Sequence, residues 1–182
     1  MAGAYDLGMY RRAPVLLMLL AMRLGGASDA PLDRNTLRGL AAVHVVIDPV
    51  APEIEKEGAT ADVLRTRLED RIRRAGITID ADSREFVGLR LTSVHSAKRA
   101  LAMGSTFAIA ATIGVYQPVT LVRDTNLRTA TQTWEVETLT LVDAKEVNRA
   151  CLDSMDELAG RFVSAYRSVN PQGDHAGRGP EK

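Results

Sequence analysis

Apolar and polar positions alternate with period two over residues 106–124. Phe107, Ile109, Ala111, Ile113, Val115, Val119 and Leu121 take the odd positions; Thr106, Ala108, Ala110, Thr112, Gly114, Tyr116 and Thr120 take the even ones. This alternation marks a strand with one buried face. A second run, residues 129–142, sets Ala130, Trp134, Val136 and Val142 on one face and Thr129, Thr131, Thr133, Glu135 and Glu137 on the other. Residues 125–128 lie between the runs, and Asp124 and Asn126 are residues that bond their own backbone in turns. The two runs predict a long hairpin at the centre of one small sheet. Leu139 and Leu141 break the second alternation, which predicts a bulge or a strand end there. Pro118 has no N–H to give to a ladder, so its strand is predicted to lie at an edge or to carry a bulge there.

The flanking segments fall into the same grammar. Val43, Val45 and Ile47 alternate within residues 37–50, and Val46 on the second face predicts a centrally placed first strand. Residues 49–59 read as an acidic, proline-bearing loop. A helix follows from Thr60, a good N-cap, to Ala75, with Gly76 as its stop. Leu64, Leu68 and Ile72 form its apolar stripe, flanked by Val63 and Ala75. On its outer face Glu69–Arg73 and Asp70–Arg74 are spaced for intrahelical pairing. Residues 77–80 predict a short strand parallel to the first, reached by a helical crossover. Residues 86–95 predict a third strand with Val87, Leu89 and Leu91 inward. Residues 96–105 read as a connecting loop with Lys98 and Arg99 beside Leu101 and Met103. Residues 144–168 form the last helix, with Asp143 as N-cap and a stripe of Val147, Cys151, Met155, Leu158, Phe162 and Val169. Asn170 and Pro171 end it. The order β-α-β-β-β-β-α, with two amphipathic helices, predicts an α/β (α+β) two-layer sandwich in which both helices cover one face of a mixed sheet.

Composition narrows the class. The chain has 182 residues, 46% of them hydrophobic and 25% charged, with a formal net charge of zero. That balance argues against a dedicated nucleic-acid binder. One cysteine allows no internal disulfide, so stability rests on the core. Residues 1–30 read as an export signal: Arg11 and Arg12 form the basic start, 13–22 the apolar stretch, and small residues follow. Cleavage fits after Ala27, with Gly25 at −3, or after Ala30, with Ser28 at −3. Pro14 close behind the arginine pair favours the general secretory route over the twin-arginine one. The apolar stretch is too short to span a bilayer, so no transmembrane span remains after signal removal. Loss of residues 1–30 leaves a net charge of −1. The division is then signal 1–30, a single domain 31–171 and a disordered polar tail 172–182. The location is periplasmic or secreted.

Catalytic signals are sparse. His44, His95 and His175 show no metal-ligand spacing to one another or to Cys151. The Gly-rich phosphate loops and the nucleophile-elbow motif are missing. Cys151 sits inside an apolar stripe and reads as core. Glu135 and Glu137 share a strand face roughly 7 Å apart, a spacing within the roughly 6.5–9.5 Å of inverting glycosidases, but they stand side by side rather than across a cleft. Loop 48–58 leaves the carboxyl end of a parallel strand, a usual ligand position; its acids, Asp48 and Glu53 among them, disfavour phosphate. The candidate binding residues are Asp48, Glu53, Tyr116, Glu135 and Glu137. No catalytic residue, metal or cofactor is predicted.

Several segments together resemble a family of uncharacterised exported bacterial proteins. They are Leu37-Arg38-Gly39-Leu40, residues 68–77 (LEDRIRRAGI), residues 117–123 (QPVTLVR), residues 130–134 (ATQTW) and Phe162, Tyr166, Asn170 and Pro171. More distantly, the element order is similar to the small envelope domains of LpoB, CsgG and the TolB N-terminal module. The resemblance implies export, this fold and an assembly or protein-interaction role with an envelope protein partner, and no activity. The reading is an exported, non-enzymatic accessory domain of the bacterial envelope. The alternatives are a small-ligand-binding periplasmic protein and, with least support, a hydrolase using the glutamates.

Overall fold

The computed structural model describes residues 28–96 and 106–171. The predicted export signal through Ala27, the basic loop after Ser96 and the tail after Pro171 lie outside the described residues. The elements are α1 (Pro31–Arg34), a 3-10 turn (Asn35–Leu37), β1 (Ala42–Ile47), α2 (Pro52–Lys56), α3 (Ala61–Arg74), β2 (Thr78–Ile79), β3 (Phe86–Ser96), β4 (Thr106–Leu121), β5 (Asp124–Asp143), a second 3-10 turn (Ala144–Glu146) and α4 (Val147–Val169). The strands form one sheet in the order β2-β1-β3-β4-β5. β1 runs parallel to β2 and β3, and the remaining pairs are antiparallel. The architecture is the predicted α/β sandwich with a mixed sheet.

Helices α3 and α4 lie on one face of the sheet. Leu64, Leu68 and Ile72 of α3 and Val147, Cys151, Met155, Leu158 and Phe162 of α4 are fully buried. They meet Val43, Val45, Val87, Leu89, Ile109, Ile113, Val115 and Trp134 from the strands. Full burial of each large apolar side chain stabilises by about 1.5–3 kcal/mol, and a core of this size needs no disulfide. Thr60 caps α3, its hydroxyl accepting from the Val63 N–H at 3.4 Å, and Gly76 closes it at φ +89°, where a Cβ is strained. Between the helices Arg67 and Arg71 reach Asp156 at 2.5 and 3.2 Å.

Several details depart from the sequence reading. The β4–β5 hairpin lies at one side of the sheet, because the parallel β2-β1-β3 unit builds away from it and leaves β5 as an edge. Its turn is at residues 122–123, since Leu121 pairs with Asp124. Residues 125–127 swell out of β5 instead, where the Asp124 carboxylate accepts from the Asn126 N–H at 3.0 Å. Leu139 and Leu141 mark neither a bulge nor an end: pairing from Trp134 to Asp143 is continuous and both side chains point outward. The bulge falls at Thr133, since Val115 pairs with Trp134 and Tyr116 with Gln132. The extra residue shifts the parity, so Ala130 pairs with Pro118 and is exposed rather than sharing the face of Trp134. The acidic loop contains helix α2, started by Pro52 and pinned by fully buried Ile54. Asp70 meets Arg73 at 3.4 Å rather than Arg74, and Val63 is exposed. Asp143 makes no side-chain cap; a 3-10 turn leads into α4.

Candidate interaction face

The sheet face away from α3 and α4 is assembled in rows by strand register. The first row reads His44, Phe86, Tyr116 and Gln132; the second Val46, Gly88, Gly114 and Glu135. The third holds Arg90, Thr112 and Glu137, the fourth Thr92, Ala110 and Leu139, and the fifth Val94, Ala108 and Leu141. Polarity therefore changes along the strands, from an aromatic and charged end to an apolar one.

At the first end Phe86 and Tyr116 stack with ring centroids 4.6 Å apart. A Cβ built on Gly88 or Gly114 would stand 3.2 or 3.3 Å from the Tyr116 ring, so this glycine pair is what lets the tyrosine lie over the sheet. Arg90 donates to Asp48 at 2.7 Å across the β3–β1 boundary. That hydrogen bond, then the charge of Asp48, and further the fields of Tyr116 and Glu135, raise the Arg90 pKa. Gln132 donates to Glu135. Asp48, Arg90, Phe86, Gly88 and Tyr116 line a hollow of about 270 Å³.

The apolar end is Val94, Leu139 and Leu141, which are 67, 71 and 70% exposed. Ala108 lies between Val94 and Leu141 in the register, and Ala110 lies beside Leu139. Isolated apolar residues on a surface are ordinary; contiguous ones mark a place where water is meant to be displaced.

The five candidates from the sequence do not form one site. Asp48, Tyr116 and Glu135 gather around Arg90, and Glu137 follows in the next row. Glu53 is apart from them on α2, where its carboxylate accepts from the Ser93 hydroxyl at 3.0 Å. The Glu53 pKa is lowered, first by its own backbone N–H and then by Ser93. Sequence reasoning missed Arg90 and the apolar end. A signal existed for both: Arg90 and Val94 alternate with the inward Leu89 and Leu91. Among the described residues no three His, Cys, Asp or Glu side chains are grouped to hold a metal ion. Burial pushes the Cys151 thiol up to about 11, which keeps it protonated and a poor nucleophile. A larger hollow of about 610 Å³ lies between α3 and α4, but two of its arginines, Arg67 and Arg71, are engaged by Asp156. No helix of the described residues is long and apolar enough to cross a membrane.

No family model matches the chain, and no curated protein does. Among solved structures it is similar to a minor lipoprotein of Acinetobacter baumannii, at 10% identity and a TM-score of 0.35, covering 72% of this chain and 95% of that one. It is similar to a hypothetical protein of Chlamydia trachomatis at 6% identity and a TM-score of 0.44, covering 70% and 98%. A rare lipoprotein B of Shewanella oneidensis gives 13% identity and a TM-score of 0.37, covering 74% and 99%. At these scores the likeness is one of general chain course, and no activity is read from it.

Proposed function

We propose that the chain is an exported, non-enzymatic docking domain that binds a protein partner through the uncovered sheet face, chiefly at its apolar end. The observation that carries this reading is the contiguous outward set Val94, Leu139 and Leu141 on a sheet whose other face is closed by helices. The charged row beside it, Arg90 with Asp48 at one end and Glu137 at the other, supplies the polar surround of a protein interface. The 270 Å³ hollow is smaller than the pockets that enclose small ligands, about 300–1,000 Å³. Glu135 and Glu137 stand side by side on one strand face rather than across a cleft.

The test is site-specific photo-crosslinking in cells that export the full chain. A crosslinkable residue at Leu139 or Leu141 should trap one discrete adduct, and one at Val63 on the helical side should not. Leu141→Asp should abolish the adduct seen from Leu139 while leaving the melting temperature unchanged. The same adducts from Leu139 and Val63 would sink the reading.

A further inference from the structure

Ser28 and Asp29 belong to the folded domain. The Asp29 carboxylate accepts from Arg34 Nε and Nη2, both at 2.7 Å, and from the Trp134 indole N–H at 3.0 Å. Trp134 is fully buried, and no buried side-chain polar atom among the described residues lacks a partner. Asp29 is the acceptor that satisfies this indole. One residue earlier, the Ser28 backbone N–H and hydroxyl both donate to Asp33 Oδ2, at 3.0 and 2.7 Å. One residue later, the Ala30 carbonyl accepts from the Arg34 N–H at 2.9 Å and so holds the first turn of α1.

Both bonds considered as processing sites have small residues at −1 and −3, so sequence does not separate them. Geometry does. Cutting after Ala30 removes the acceptor of a buried indole N–H, an arrangement that costs its full desolvation penalty, and also removes the first acceptor of α1. Cutting after Ala27 removes neither. We infer that the chain is processed between Ala27 and Ser28, and that residues 28–30 are the first residues of the working domain. This rests on the export reading.

The step is hydrolysis by a leader peptidase of the exporting cell. The oxygen of a water bonds to the Ala27 carbonyl carbon and the C–N bond breaks. Ala27 departs with a carboxylate, and Ser28 is left with an ammonium group. That ammonium replaces the amide donor facing Asp33 Oδ2. The Asp33 carboxylate thereby faces a charged donor in place of a neutral one.

The experiment is intact-mass analysis and N-terminal sequencing of the full chain expressed in an exporting bacterium. The expected product begins at Ser28. A product beginning at Pro31 overturns this inference and leaves the export reading standing; an uncut chain overturns both. Bulky substitution at each −1 position gives a second readout. Ala27→Leu should accumulate precursor, while Ala30→Leu, at an exposed position, should still give a chain beginning at Ser28. The reverse pattern overturns the assignment.

Discussion

The two halves of the β4–β5 hairpin are made of similar residues and have different fates. At its root, Val115 and Trp134 are fully buried, β3 pairs along β4 from Phe86–Tyr116 to Ser96–Thr106, and Trp134 packs on Phe162 at 5.5 Å. Beyond Tyr116 the ladder loses its third strand, and residues 122–131 are all exposed. Thr, Val and Leu populate both halves. β-propensity therefore does not decide which half is held; a third strand and a helix behind it do.

That contrast can be broken most forcefully at the root. Trp134→Ala should cost about 3–5 kcal/mol by denaturant unfolding; a loss near zero would mean the root is no better held than the arm. Asp29→Ala should cost about 1–3 kcal/mol, because it strands the buried indole N–H. The Asp29 carboxyl is held below the usual carboxylate range, first by its Arg34 hydrogen bond and then, against the opposing effect of burial, by Trp134. A depressed carboxyl gives stability that is present above its unfolded pKa of about 3.9 and lost as pH falls through its folded value. The gap between wild type and Asp29→Ala should therefore narrow below about pH 4 in thermal melts. In the arm, Leu127→Ser should change stability by no more than about 0.5 kcal/mol; a larger loss would show that the arm has a packing partner. Smallest of all is Val122→Cys, at a side chain 99% exposed. It should leave the melt unchanged and react with a thiol reagent at once at pH 8, whereas Cys151 should react only at the rate of global unfolding.

Much of the framework was readable from local pattern. Thr60, Gly76 and the stripes Leu64-Leu68-Ile72 and Val147 to Phe162 each state their element, because helix caps and the 3.6 period are local properties. The misreadings have separate physical origins. The bulge at Thr133 adds a residue without changing composition, and threonine suits either face, so the parity shift that exposes Ala130 left no trace. Leu139 and Leu141 contradicted an alternation that assumes water outside the sheet. Both side chains are exposed, and reading them as a strand end hid the apolar end of the face. The contact of Asp29 with Trp134 spans 105 positions, beyond any periodicity.

The Asn170 amide ties the ends of the fold together: it accepts from the Gly39 N–H at 2.7 Å and donates to the Leu37 carbonyl at 2.8 Å. Start and finish of the described chain thus leave from one corner, beside Trp134. Seven residue steps along β5 carry the chain from Trp134 to Leu141, roughly 23 Å at strand rise. A leash attached at either terminus would hold that corner and present the oily rows at the far tip, reaching outward like the working end of a tool gripped by its handle.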